Sequence, residues 1–478
     1  MRRLIGCFLL GFSSCCSPSV FLDPYSFAPC LPNAVYDHDT GESSLISSAY
    51  FHTYLPLDYE GETLSLATLI DIALYNNPNT KTSWAEARAQ AALYAQANSA
   101  YFPTVDACVS YQKERETFSL SENFTVPYRL ETTGPEINLN YTLLDFGKRN
   151  ASSAAALQGL LFADLSHNRT LQSAVKTVME DYYTCAFEKE RLVALEADLA
   201  NAEQTMRAAE EKGALGIVAR GDVAQAKTAF IQAKIRVIQQ ERDLALSFSQ
   251  LAKDVGLPAT ATFAIEELPE NVFSDTTFAQ LEELVDQAQR QRPDLQAALA
   301  GLEQQKAALA GARAEYNPTL SASFDLGKYW YNHNEDEDYH WTLLLKLNVP
   351  LFEGFLRNNV VREKRANLEK SAAELLNTEL TVISEVTSAH ASLKAAKEAL
   401  AYSNEYVQEA ALQFSIAFES YKAGTVTILD LLSSQSAVAD AKAELANAKK
   451  DWYQSIAEIA YSTGALGIPY SEPPTTRF

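Results

Sequence analysis

The chain contains one pattern twice. Asn77-Pro78 returns as Arg292-Pro293 about 215 residues later, and at the same offset Tyr101-Phe102-Pro103-Thr104 returns as Tyr316-Asn317-Pro318-Thr319. Gly147 pairs with Gly354, Gly216 and Asp222 pair with Gly424 and Asp430, and Gly256-Leu257-Pro258 pairs with Gly467-Ile468-Pro469. Chance supplies one such match, but five in the same order indicate a duplication, so the fold must be something that is built twice. The first repeat is placed at residues 61–265 and the second at 266–478.

Each repeat reads in the same sequence of elements. A short helix (Leu64 to Tyr75, then Phe278 to Gln291) stops where Pro78 or Pro293 breaks the pattern, and an Ala- and Gln-rich helix follows, Asn79 to Tyr101 or Asp294 to Tyr316. Two strands come next, near 104–112 and 136–144 in the first repeat and near 319–328 and 341–349 in the second. Val105, Ala107, Val109 and Tyr111 alternate with Asp106, Cys108, Ser110 and Gln112, and Trp341, Leu343, Leu345 and Leu347 alternate with polar residues in the same way. Period-2 alternation puts one face in an apolar medium and the other in water. Aromatic residues gather at the strand ends (Tyr128, Phe146, Tyr329-Trp330-Tyr331, Trp341 and Phe352), as in the girdles of a transmembrane barrel. A soluble sandwich with one wet face is the competing reading. After the strands no proline occurs from Glu136 to Leu257 or from Leu351 to Ile468. These stretches are rich in helix formers, each divided by a glycine turn, near Gly213 to Gly221 and near Gly424. They read as helical hairpins near 151–255 and 358–466, whose longer arm of about 60 residues would span about 90 Å.

Composition removes several function classes. With 39 Lys+Arg against 61 Asp+Glu the formal net charge is −22, and a pI near 4.8 argues against a nucleic-acid partner. Six cysteines without a Cys-x-x-Cys pair give neither a zinc site nor a disulfide scaffold. Beyond the N-terminus no apolar run is long enough for a transmembrane helix, which leaves a membrane β-barrel open. No Ser/His/Asp arrangement, Walker loop or carboxylate pair is recognisable, so the expectation is no enzyme, no cofactor and no metal. His333 and His340 flank Glu335-Asp336-Glu337-Asp338, which reads better as a solvated loop than as a metal site, and Arg220-Gly221-Asp222 is a chance tripeptide at a turn.

Two further expectations concern assembly and export. Four strands per chain cannot close a barrel, because the smallest membrane barrels have about eight. Open edges in lipid would strand backbone groups, so several copies must share one barrel; three would give twelve strands. At the N-terminus, Arg2-Arg3, the apolar run Leu4 to Phe12 and Ser13-Ser14 form a secretory signal over residues 1–14. Cys15 follows small residues as in a bacterial lipobox and is the candidate lipidation site, although Phe12 stands where Leu is usual. Residues 15–60 read as an N-terminal linker.

Taken together, these features resemble the TolC-like outer-membrane efflux ducts over almost the whole chain after residue 60. The resemblance rests on the repeat, on Leu144-Asp145-Phe146-Gly147 and Leu351-Phe352-Glu353-Gly354, and on Tyr421-Lys422-Ala423-Gly424-Thr425-Val426-Thr427-Ile428-Leu429-Asp430. It implies a mixed α and β fold, a homotrimer with a twelve-stranded transmembrane β-barrel, and a long α-helical periplasmic tunnel. It also implies partners: outer-membrane lipid, a periplasmic adaptor protein and an inner-membrane transporter that supplies the energy. The function implied is a passive exit duct for efflux or type I secretion. By the same resemblance Asp430 matches an entrance-ring aspartate, while Asp222 and Tyr421 match a hydrogen-bonded network that shuts the mouth. Gly216, Ile217, Gly424 and Thr425 lie at hairpin tips that meet the adaptor. Ser433 and Val426 depart from relatives that carry an aspartate and an arginine there. The alternatives are an exported structural or adhesive coiled-coil protein without channel activity, and an envelope enzyme on a helical scaffold.

Overall fold

The computed structural model describes residues 23–36, 43–45, 63–121, 124–261, 263–266, 280–331 and 337–466. In chain order its elements are β1 (Ala34–Tyr36), β2 (Ser43–Leu45), β3 (Thr63–Leu64), α1 (Leu66–Asn76), α2 (Pro78–Ser99), β4 (Thr104–Ser121), β5 (Phe124–Leu144), α3 (Lys148–Ala214) and α4 (Arg220–Val255). The second repeat follows with β6 (Ala264–Ile265), α5 (Leu281–Gln291), α6 (Pro293–Ala314), β7 (Thr319–Tyr331), β8 (Glu337–Asn348), α7 (Leu356–Ala423) and α8 (Ile428–Ser462). Two compact units result. One holds residues 87–163 and 297–375; the other holds 29–86, 164–296 and the chain from 376 onward.

In the first unit, β4, β5, β7 and β8 form one antiparallel sheet in that order. Register aligns the alternating side chains into rows. Val105, Leu139, Phe324 and Leu343 lie in one row, and Ala107, Ile137, Leu326 and Trp341 in the next. On the opposite face Asp106, Asn138, Asp325 and Thr342 form a row beside Cys108, Glu136, Gly327 and His340. Val105, Trp341, Leu343 and Leu345 are each at least 60% exposed in the single chain, a price that only an apolar surround removes. The first hairpin is longer than its alternation indicates, since β5 begins at Phe124 and runs through Pro127 and Pro135. Pro135 has no N–H to give the ladder, and the pairing of β5 with β7 skips Gly134 and Pro135. A side chain at Gly134 would stand 2.0 Å from the Lys328 carbonyl oxygen, so only glycine fits there.

The strand-to-helix junctions repeat at atomic detail. Arg149 pairs with Asp145 at 2.9 Å and donates to the Thr142 carbonyl; Arg357 pairs with Glu353 at 2.9 Å and donates to the Pro350 carbonyl. Each guanidinium lies over a tyrosine ring, Tyr101 or Tyr316, whose hydroxyl donates to Asn150 or Asn358.

The second unit is built from helix seams. Between Val382 and Ala410 the buried positions of α7 are Val382, Val386, Ala389, Leu393, Ala396, Leu400, Ser403 and Ala410, in alternating steps of four and three as far as Ser403 and then one step of seven. That is the heptad spacing of a coiled-coil stripe. The stripe meets Ala288 of α5 first, then Trp452, Ala448, Ala441 and Val438 of α8. In the first repeat α3 meets α1 and α4 in the corresponding way, through Val178, Tyr182, Leu69, Ile72, Leu251 and Val255. One seam leaves the rest of each helix uncovered, including Ile231, Ile235, Ile238 and Leu246 on α4 and Leu380, Leu412 and Ile416 on α7.

Candidate functional site

The turns that join α3 to α4 and α7 to α8 gather most of the residues singled out in the sequence. Both turns end their first helix in the same way. The Gly216 N–H reaches the Gly213 carbonyl and the Ile217 N–H the Lys212 carbonyl; the Gly424 N–H reaches Tyr421 and the Thr425 N–H reaches Ser420. Gly216 (φ 74°) and Gly424 (φ 82°) take the left-handed conformation this closure needs. Leu215 and Ile217, 75% and 64% exposed, project from the first turn.

The two aspartates start the returning helices. At α8 the Asp430 carboxylate accepts from the Thr427 N–H (3.2 Å) and hydroxyl (2.6 Å), while the Asp430 N–H donates back to the Thr427 hydroxyl oxygen at 3.4 Å. This reciprocal capping box satisfies two orphan donors of the helix start, and the carboxylate also faces the positive end of the helix dipole. At α4 the Asp222 carboxylate accepts from the Ala219 N–H at 3.3 Å, but alanine has no hydroxyl to complete the box. Asp430 is exposed and Asp222 half-buried, so both charges stay near the turns.

Between the turns lies a small core. Tyr421, Ile428, Leu431, Ala209 and Ala226 are buried together, flanked by Met206, Phe414 and Phe418. Tyr421 is 2% exposed and its hydroxyl has no hydrogen-bond partner among the described residues. Burial, with the nearby Asp222 charge, pushes the Tyr421 phenol above its ordinary range. The Lys212 ammonium sits 4.2 Å from the Tyr421 ring centroid and donates to the Tyr421 carbonyl, so the first hairpin clasps the second. Beside this cluster α4 and α8 border a groove of about 750 Å³ lined by apolar side chains such as Ile235, Leu429 and Leu432 together with polar ones such as Thr228 and Ser436. Two neighbouring contacts tie α3 to α4 and α8, Arg236–Asp198 at 3.1 Å and Gln435–Asp198 at 3.1 Å.

This combination of a half-apolar, half-polar four-stranded sheet with paired helical hairpins has known counterparts. The family described as Outer membrane efflux protein matches residues 69–257 and 284–465, one segment in each repeat. The chain belongs to that family. It is 28% identical over 383 residues to Protein CyaE of Bordetella pertussis, covering 78% of each chain. To the proteases secretion protein PrtF of Dickeya chrysanthemi it is 23% identical over 348 residues, covering 69% of this chain and 72% of the relative. The crystal structure of the Campylobacter jejuni CmeC outer membrane channel aligns with a TM-score of 0.73 at 19% identity, over 84% of this chain and 85% of that one. This member of the efflux protein family is therefore an outer-membrane channel of the kind that serves efflux pumps and type I secretion, with a helical periplasmic portion, and not an enzyme.

Within that identity, the structure sets the Asp222 charge close to Tyr421, beside its cluster, and leaves Asp430 exposed at the same turns. Lys212 and Thr427 were not singled out in the sequence. Thr427 three residues before Asp430 is a capping-box pattern and was readable as such, whereas Lys212 carries no signal of its own. One pairing from the sequence needs correction. The counterpart of Gly256 is Gly464, not Gly467: both take a left-handed φ (84° and 80°), and the next N–H, of Leu257 or Ala465, reaches back to Ala252 or Ala460. Gly256-Leu257-Pro258 and Gly467-Ile468-Pro469 share a spelling without sharing a place in the repeat, and Gly467 to Pro469 lie outside the described residues. Residues 1–22, with Cys15, and His333 to Asp336 lie outside them too. His340 is on β8 with its Nε2 3.0 Å from the Thr342 hydroxyl.

Proposed function

We propose that three copies close one twelve-stranded barrel in the outer membrane and that their paired hairpins continue it as a periplasmic duct for substrates handed over by an inner-membrane pump. The observation that carries this reading is the sheet. Its apolar face is continuous across four strands, and β4 and β8 each have one edge unpaired among the described residues. In hydrocarbon such edges cost several kcal/mol per unsatisfied group, so neighbouring copies have to cover them. The uncovered apolar positions on α4 and α7 support association along the helices as well. The polar face, with Asp106, Glu136 and Asp325, then lines water.

In this reading the hairpin turns form the periplasmic mouth. Asp430 and Asp222, each present three times, give it a negative ring, and Tyr421 belongs to the contacts that hold it closed. Gly216, Ile217, Gly424 and Thr425 are the positions that meet a periplasmic adaptor; the exposed Leu215 and Ile217 supply apolar area for it. The N-terminal segment directs export, and Cys15 is the residue acylated. A structural coiled-coil protein without a channel would have no use for a sheet with one apolar face.

Particle mass in detergent together with planar-bilayer conductance on the same preparation tests the assembly. A trimer with small discrete channels is expected; a monomer or dimer without conductance would overturn it. Asp430→Asn, alone or with Asp222→Asn, should lower cation preference or relieve block by multivalent cations. Records that match wild type in both respects would remove the ring assignment. An unacylated N-terminal residue other than Cys15, found by mass spectrometry, would remove the anchor.

A further inference from the structure

The segment Pro29–Tyr36 lies in a polar seat that none of the channel machinery accounts for. The Trp84 indole N–H of α2 donates to the Pro29 carbonyl at 2.8 Å. On α3, the Asn168 side chain donates to the Tyr36 carbonyl at 2.8 Å and accepts from the Tyr36 N–H at 3.0 Å, pairing with the backbone as a strand would. His167 bridges: its Nε2 lies 3.2 Å from the Ala34 carbonyl oxygen and its Nδ1 2.8 Å from the Ser83 hydroxyl. These distances fit a neutral ring with the proton on Nε2, donating to Ala34 and accepting from Ser83.

Asp164, His167 and Asn168 stand at i, i+3 and i+4 of α3 and so share one face. Asp164 and His167 have no exposed surface, and among the described residues neither Asp164 oxygen has a hydrogen-bond partner. In the segment itself the buried Asn33 Oδ1 also lacks a partner. A carboxylate buried in this way has no compensation for its lost hydration unless it keeps its proton. Burial pushes Asp164 up to about 8 and His167 down to about 4, the latter partly opposed by the Ala34 carbonyl. Among the described residues no charged side chain, from α2, α3 or the segment, contributes to either shift. Neutral Asp164 is also an O–H donor, in a seat whose occupant carries an acceptor without one.

We propose that Pro29–Tyr36 is a pH-gated strap, seated on α2 and α3 only while Asp164 and His167 are both uncharged. Raising the pH ionises Asp164, which must then draw in water, and the strap is what has to lift to admit it. Acidification far enough to protonate His167 has the same result by another route, because Nδ1 becomes a donor and the ring needs hydration. The strap joins the exported N-terminal region to the helical body, so its release would loosen that connection without touching the hairpin turns. The inference does not depend on the trimer or on the cargo.

Hydrogen exchange of the full chain in detergent, followed by mass spectrometry over residues 29–36 and corrected for intrinsic rates, tests it. Protection is expected to be level from pH 5 to 7 and to fall by about tenfold per pH unit above the Asp164 transition. Asp164→Asn should keep the strap protected to pH 9, and Asn168→Ala should lower protection equally at every pH. Level wild-type protection to pH 9 would overturn the proposal, and so would an Asp164→Asn variant that loses protection at the same pH. Should Asp164→Asn fail to fold, the wild-type profile decides by itself.

Discussion

Each helical hairpin ends in two glycine turns of the same chemistry, yet the two ends are held very differently. The tip glycines, Gly216 and Gly424, and the return glycines, Gly256 and Gly464, all take a left-handed φ between 74° and 84° and make the same pair of backbone hydrogen bonds. Around the tip glycines there is open space. At the return turns a Cβ would stand 2.9 Å from the Asn76 carbonyl carbon or 3.0 Å from that of Gln291. The return turns are thus pressed against the kink between α1 and α2, or between α5 and α6. The tips are held by local bonds, by the Lys212 clasp on Tyr421 and by one small cluster. On the proposed reading the tips form the channel mouth, and a mouth drawn from the low-stability end of its own structure can rearrange without unfolding the rest.

The comparison breaks most directly on those glycines. Gly464→Ala should cost about 3 kcal/mol, the sum of about 1–2 for a left-handed alanine and a further 1–3 for overpacking, and Gly256→Ala about the same. Gly216→Ala and Gly424→Ala carry only the first part, about 1–2 kcal/mol. Denaturant midpoints of the four variants measure the difference. Equal losses at tips and returns would show that the return turns yield as easily as the mouth.

A second contrast lies within the return turns. Asn77 caps α2 by accepting from the Asn79 N–H at 2.8 Å and donates to the Asp254 carbonyl at 2.9 Å. Arg292 occupies the same position in the second repeat. It is 1% exposed, donates to the Ser462 carbonyl, and pairs with Asp294 and Glu385, with Arg169 adding a further contact to Asp294. Its carboxylate partners are partly exposed, so Arg292→Ala should cost about 2–3 kcal/mol, between surface and fully buried ion pairs. Asn77→Ala, which loses a cap and one neutral bond, should cost about 1–2 kcal/mol. Acid sharpens the same contrast. Burial raises the Asp294 carboxyl, but Arg292 and Arg169 outweigh it and hold the group below its ordinary value. The stability it gives is therefore present above the unfolded carboxylate value and disappears as pH falls through the lower folded one. Melting followed from pH 5 to 2 should show a steeper loss in wild type than in Asp294→Asn.

Much of this was legible because it is periodic or duplicated. The alternation from Val105 to Tyr111 and from Trp341 to Leu347 gave the sheet its two faces, and the proline-free stretches gave the hairpins. The gate candidates could be placed because glycine turns punctuate long helices. What stayed hidden depends on single residues whose partners are distant in sequence. Arg292 looks like any surface cation until Glu385 and Ser462 are folded against it. His167 and Asn168 sit inside an uninterrupted helix, where one histidine and one asparagine make no pattern, and their strap begins more than a hundred residues earlier. Asp222 and Asp430 looked equivalent, but only Asp430 has a threonine to complete its box.

The smallest effect on stability separates two roles of the mouth. In repeat one the position of Tyr421 is held by Gly213, where a Cβ would stand 2.8 Å from a Val223 methyl carbon, so only the second repeat brings a tyrosine into the cluster. The ring fills the core and carries Lys212, while the hydroxyl is buried without a partner in the single chain. Removing such a hydroxyl relieves its desolvation, and Tyr421→Phe should change stability by less than about 0.5 kcal/mol in either direction. Tyr421→Ala, by contrast, opens a cavity and should cost about 3–5 kcal/mol, the range of an aromatic deletion. If the hydroxyl latches the closed mouth once copies assemble, Tyr421→Phe will raise resting conductance in a planar bilayer while the melting curve stays in place. If conductance and melting both match wild type, the ring is there for packing, and the latch has to be sought at Lys212 and the two aspartates.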